Sequence, residues 1–225
     1  KDINNIIRDS NASIENIRLN FNSNEIYDQS RIEYVNELYQ SLKTEEEGIS
    51  YKFKKHNIKA RTILIDWILD VCDKFNLQDE TYFLTISILD RYLISKNLPL
   101  SKYQLAGTTS LLIACKYEEV FSPEIKDLVG ITDSAYSRED IISCEYDILI
   151  TLNYEFTIPS PLIFFDIYLL LTRLYFVNDQ GNKMDVDSDY ETIDINDNNT
   201  FTSLGLFLLH LFTFDYKVSK YKPSE

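Results

Sequence analysis

Residues 57–75, N-I-K-A-R-T-I-L-I-D-W-I-L-D-V-C-D-K-F, read as a helix with two apolar stripes instead of one. At roughly 100° per residue, Ala60, Ile63, Leu64, Trp67 and Val71 form one stripe, and Ile58, Thr62, Ile65, Leu69 and Cys72 form the other. Lys59, Asp66, Asp70 and Asp73 are left as a narrow polar seam. A surface helix needs a single apolar stripe to face its core, so the second must pack on another helix or stay open for a partner. Arg61 falls between the stripes, where a charge is costly unless it is paired.

Working outward, the 3.6-residue period recurs along most of the chain, and only five glycines and five prolines interrupt it. The class is all-α. Residues 1–30 are rich in Asn and Ser and read as a flexible lead-in. A helix over about 31–42 follows, with Ile32, Val35, Leu38, Tyr39 and Leu42 on one face. Further helices are expected at about 57–75, 79–95, 101–118, 123–130 and 137–151, with Pro123 in the first turn of its helix and Ser137 as a cap. The fourth of these six carries Ala106, Gly107, Thr108, Thr109, Ser110 and Ala114 around its circumference. Small residues on every side let other helices approach, which places it at the bundle centre. Pro159 and Pro161 mark a break before a second helical unit at about 162–177. The Asp- and Asn-rich segment 178–200 reads as a disordered insert. The helix expected at 201–214 is apolar nearly all round, and too little sequence follows to cover it, so the chain is expected to stop inside a second domain.

Composition excludes several classes. A formal net charge of −14 argues against a nucleic-acid surface, which needs clustered Lys and Arg. No apolar run approaches a membrane span of about 20 residues. Cys72, Cys115 and Cys144 each fall on an apolar helix face and read as reduced core thiols, hence a nuclear or cytoplasmic protein. With only His56 and His210, metal hydrolysis and Ser/His/Asp chemistry lack support, and Gly-rich phosphate loops are absent. The acidic run 185–196 has Tyr190 where a calcium loop turns on glycine and Asn196 where it needs a bidentate Glu. No cofactor or metal is expected.

Three further charges interrupt apolar faces. Asp90 projects from the face of Phe83, Ile86, Leu93 and Ile94, and is the natural structural partner of Arg61. Lys116 shares a side with Leu105, Thr109 and Leu112, while Glu145 sits among Ile141, Ile142, Ile148 and Leu149. These two either form a mutual buried salt bridge or mark the edge of an apolar surface that orients another protein.

Taken together, A-R-T-I-L-I-D-W at 60–67, L-D-R-Y-L at 89–93, Y-Q-L-A-G-T-T at 103–109, A-C-K-Y-E-E at 114–119, P-E-I at 123–125 and I-T-D-S-A-Y at 131–136 resemble the cyclin box, with its A/B-type mitotic members the nearest in pattern. The resemblance covers about residues 31–160. It implies a five-helix cyclin box preceded by an N-terminal helix over 31–158, and a partial second cyclin fold over 159–225 that carries the acidic insert.

The resemblance also implies a function: a non-catalytic subunit that binds and allosterically activates a cyclin-dependent kinase in cell-cycle control, in the nucleus and cytoplasm. Lys116 and Glu145 match the family's kinase-contacting Lys and Glu. Ile113, Tyr117, Leu149 and Phe156 match the apolar pocket for the kinase's regulatory helix. Glu118 and Glu119 are expected at the interface rim or holding the local helix end. Ala60, Ile63, Leu64, Trp67, Asp70, Tyr103 and Gln104 match an exposed patch that docks Arg-x-Leu segments of substrates or inhibitors. Ala60 and Tyr103 depart from the usual Met and Leu there. A G1/S-type cyclin and a transcription-associated cyclin-fold protein are the alternatives.

Overall fold

In a computed structural model, which describes residues 26–47, 58–96, 98–169, 198–215 and 222–224, the chain is helical, with no strand among the described residues. The order is α1 (Ile26–Glu47), α2 (Ile58–Phe75), α3 (Asp79–Ser95), a 3-10 turn (Leu100–Lys102), α4 (Tyr103–Glu118), α5 (Ile125–Ile131), α6 (Arg138–Thr151), α7 (residues 161–169) and α8 (Asn198–Phe214). The expected boundaries of α2, α3, α4 and α6 hold to within about two residues. Helix α1 is longer at both ends than the expected 31–42, so the described end of the lead-in is helical. The boundary between two compact units falls inside it, at Leu42/Lys43, and the second unit runs from there to the end of the chain. His56, the remainder of the lead-in, and the insert up to residue 197 lie outside the described residues.

Local chemistry explains most of the ends. Helix α2 stops because Asn76 turns left-handed, at φ 52°, and Leu77 N–H reaches back to Cys72 O at 3.0 Å; Asn tolerates that conformation better than most residues. Pro123 lies outside α5, which instead has Glu124 as its cap, paired reciprocally with Asp127. At α6, Ser137 caps as expected. Asp140 N–H donates to Ser137 Oγ at 3.1 Å and Asp140 Oδ2 accepts from Ser137 N–H at 2.9 Å. The bond from the Ser137 backbone, with one that the Ser137 hydroxyl donates to the same oxygen at 2.7 Å, holds the Asp140 carboxyl below its usual range.

Helix α4 lies at the centre, packed by α2, α3 and α6. Every residue from Leu105 to Cys115 is buried, on all sides of the helix. Gly107 shows why small residues are needed: a Cβ there would stand 2.8 Å from Leu64 Cδ1 on α2. Cys72 and Cys115 are buried free thiols, and burial pushes both up to about 12, as befits inert core groups. Ser110 Oγ is buried with no hydrogen-bond partner among the described residues.

Arg61 and Asp90 meet as the sequence suggested. Nε and Nη2 donate to the two carboxylate oxygens, each at 2.6 Å, with both side chains buried. Burial works against the guanidinium charge, but Asp90 outweighs it and the Arg61 pKa is raised. The sequence did not show that Nη1 also donates to Thr213 O at 2.8 Å, at the carbonyl end of α8. Tyr82 OH meets Thr213 Oγ1 at 2.7 Å, and His210 stacks on Phe83 with Nε2 3.2 Å from Asp79 Oδ1. These contacts seat α8 on α2 and α3, while its Leu204, Phe207, Leu211 and Phe212 remain exposed.

Two stability changes follow. Asp90→Ala strands a buried guanidinium and should cost about 3–5 kcal/mol in urea unfolding, whereas replacing Arg61 and Asp90 together by Leu should cost much less. Ser110→Ala removes an unsatisfied hydroxyl and should stabilise the chain by about 1 kcal/mol, seen as a raised Tm.

Candidate functional site

The site begins at the C-terminal end of α4. Lys116 leaves the buried run of that helix at its last turn, and its Nζ donates to Glu145 Oε1 of α6 at 2.5 Å. The pair is asymmetric: the Lys116 side chain is 49 % exposed and that of Glu145 15 %. The mutual salt bridge therefore forms, but it is partly exposed and not in the core.

One position further along α4, about 100° round the helix, Tyr117 is exposed, with its ring edge-on to Phe156 at 6.4 Å and its hydroxyl 3.0 Å from Thr157 Oγ1. Ile113 and Phe156 are buried and Leu149 is half-buried, so of the expected apolar pocket residues only Tyr117 stands out into solvent. Helix α6 adds residues that the sequence reading missed. Ile142 and Tyr146, with Ile150 and Tyr154 beyond them, are all exposed. Their i, i+4, i+8 spacing was the available signal; Ile142 had instead been grouped with buried Ile141. Lys116 also lines an open hollow of about 620 Å³, with Leu112, Pro123, Ile125, Val129 and Arg138.

The frame behind the pair is polar and well satisfied. Asp147 accepts from Tyr92 OH at 2.6 Å and from Lys96 Nζ at 3.0 Å, which ties α6 to α3. The hydrogen bond from Tyr92 holds the Asp147 carboxyl below its usual range, against a smaller effect of burial. Glu118 is exposed, and its pKa is raised by partial burial and by the like charges of Glu80 and Glu119. Glu119 behaves differently: its Oε1 accepts from Gln78 N–H at 2.8 Å and from Thr81 Oγ1 at 2.6 Å. Of the two expected roles for these glutamates, holding a helix end falls to Glu119, though the end is that of α3.

The expected docking patch on α2 and α4 is only partly a surface. Ile63 is 70 % exposed and Asp70 is exposed, while Ala60, Trp67 and Gln104 are half-buried. Leu64 and Tyr103 are corrections: at 6 % and 7 % exposed they belong to the core, Leu64 because it packs over Gly107. The first stripe of α2 thus divides, with Leu64 and Val71 facing inward and Ile63 outward.

Among the described residues, no group of three or more His, Cys, Asp or Glu could hold a metal ion, and no helix is long and apolar enough to cross a membrane.

Comparison with known proteins agrees with this arrangement. Residues 31–157 match the family described as "Cyclin, N-terminal domain". A protein named Cyclin-B2-1 from Oryza sativa subsp. japonica is 37% identical over 198 residues, covering 85% of this chain and 42% of that protein. G2/mitotic-specific cyclin-2 from Antirrhinum majus is 43% identical over 142 residues, covering 61% of this chain and 32% of its own length. The chain therefore spans less than half the length of these curated relatives. Among solved structures, a viral cyclin from herpesvirus saimiri superposes with a TM-score of 0.56 at 20% identity, covering 76% of this chain and 66% of that one. That likeness concerns the fold. With the family match over 31–157 and the helical bundle built on α4, the chain belongs to the cyclin family and resembles its mitotic A/B-type members.

Proposed function

We propose that this chain is a non-catalytic regulatory subunit that binds a cyclin-dependent Ser/Thr kinase and activates it allosterically in cell-cycle control. The observation that carries the reading is the Lys116–Glu145 pair, its lysine half-exposed, joining two helices that also expose the apolar side chains of Tyr117, Ile142, Tyr146 and Ile150. Exposed apolar surface with a polar rim is typical of a protein interface. Lys116 keeps donors available beyond its single bond to Glu145, and Glu145 keeps acceptor capacity, so the pair can grip a partner's backbone while holding each other. Burial of these apolar side chains against the kinase's regulatory helix supplies the energy to rotate that helix, bringing its Glu to the Lys that holds ATP phosphates. No chemical step occurs on the cyclin itself.

In the same reading, residues 31–158 are the cyclin box with its preceding helix and residues 159–225 are part of a second cyclin fold. The exposed side of α2, with Ile63, Trp67 and Asp70, together with Gln104 of α4, takes Arg-x-Leu segments of substrates or inhibitors. Ile63 and Trp67 offer the Leu an apolar seat, and Asp70 receives the Arg. The protein works in the nucleus and cytoplasm, where its buried thiols stay reduced.

Exchanging the two charges, Lys116→Glu with Glu145→Lys, preserves their mutual attraction but reverses what the partner meets. Helicity and Tm should stay near wild type while kinase affinity falls by at least about 30-fold, roughly 2 kcal/mol, measured by titration calorimetry. Normal binding by the double variant would show that the pair does not touch the kinase. Ile63→Ser, at an exposed position, should leave kcat/KM on a minimal peptide unchanged and lower it several-fold on a substrate bearing Arg-x-Leu. Equal loss on both substrates would remove α2 from substrate docking.

A further inference from the structure

The N-terminus of α3 is capped from another helix. Its N-cap residue is Gln78, whose own side chain makes no capping bond. Ordinarily a Glu at the third helical position would reach back to the N-cap amide, but α3 carries Thr81 there. Glu119 fills that role from the end of α4: its Oε1 takes the Gln78 N–H at 2.8 Å, and the Thr81 hydroxyl donates to the same oxygen at 2.6 Å. Thr81 is fully buried, so this bond also satisfies a hydroxyl that water cannot reach. A carboxylate at a helix N-terminus gains further from the helix dipole.

The position of Glu119 along α4 gives the cap a consequence. It is the C-cap residue of α4, with its N–H on Cys115 O at 3.0 Å, and it lies three residues beyond Lys116 and two beyond Tyr117. After it the chain enters solvent, with Val120 87% and Phe121 91% exposed. The tether through Glu119 holds this last turn, which is where a helix otherwise frays.

We propose that Glu119 is a positioning residue for the partner-binding end of α4: by serving as the capping acid of α3 it fixes the last turn that presents Lys116 and Tyr117. The proposal rests on the kinase reading given above. Glu119 itself faces α3 and acts through those two side chains.

The test compares Glu119→Ala with Glu119→Gln in the full chain. Glutamine keeps the oxygen that accepts both bonds and loses only the charge; alanine loses the bonds. Kinase affinity by titration calorimetry and amide exchange at the start of α3 by mass spectrometry are read together. Glu119→Ala should weaken kinase binding about tenfold and speed exchange at Gln78 and the first turn of α3, and Glu119→Gln should restore both to within about twofold. If Glu119→Ala binds as tightly as wild type, the tether does not position the interface. If both variants lose affinity equally while exchange stays protected, the carboxylate meets the kinase directly and the proposal is wrong. A wild-type chain that binds no kinase would sink the kinase reading and this one with it, whereas either of the preceding results sinks this one alone.

Discussion

The buried Arg61–Asp90 pair is the constraint on which the arrangement of the second unit turns. Two charges in a core are tolerable only if each is met in full, and the guanidinium meets its obligations in two directions. Its fork takes both oxygens of Asp90, fixing α2 against α3, and its remaining edge takes Thr213 O, fixing α8 against both. Removing one partner leaves an uncompensated charge, so the helices cannot slide independently. Apolar packing alone would permit several crossings of similar energy.

Around that pair the bundle is organised by size. Helix α4 can be buried on all sides because Ala, Gly, Thr and Ser replace bulk where α2, α3 and α6 approach, with Leu64 resting over Gly107 as the tightest case. The buried threonines turn their hydroxyls onto the preceding turn: Thr108 on Gln104 O at 2.8 Å and Thr109 on Leu105 O at 2.7 Å. Burial ends at Cys115, and the next two residues, Lys116 and Tyr117, are exposed. In the proposed function, structure and function therefore meet within one helix, whose buried body carries the short end offered to the kinase. Asp147 on α6 and Glu119 at the end of α4 each tie their helix to α3.

The sequence was legible where one residue type has one physical use. Periodicity located the helices, the stranded charges Arg61 and Asp90 named their own partner, and the all-round small residues put α4 at the centre. It was less legible where exposure decides. Leu64 and Ile63 are adjacent apolar residues on one stripe, yet one is core and the other surface, because only the position of Gly107 on a distant helix distinguishes them. Ile141 and Ile142 divide the same way. Capping was readable at Ser137, where the motif is local. It was not readable at Gln78, whose capping acid lies 41 residues away.

The sequence by itself determined the helical class, the central helix and the residues whose charges need partners, since these follow from composition, period and the cost of burial; its motifs carried the resemblance to the family. Tertiary structure decided which apolar side chains face solvent, that Arg61 also holds α8, and that Glu119 serves a helix other than its own. Those outcomes depend on which elements meet in space, and local pattern carries no record of contacts between residues far apart in the chain.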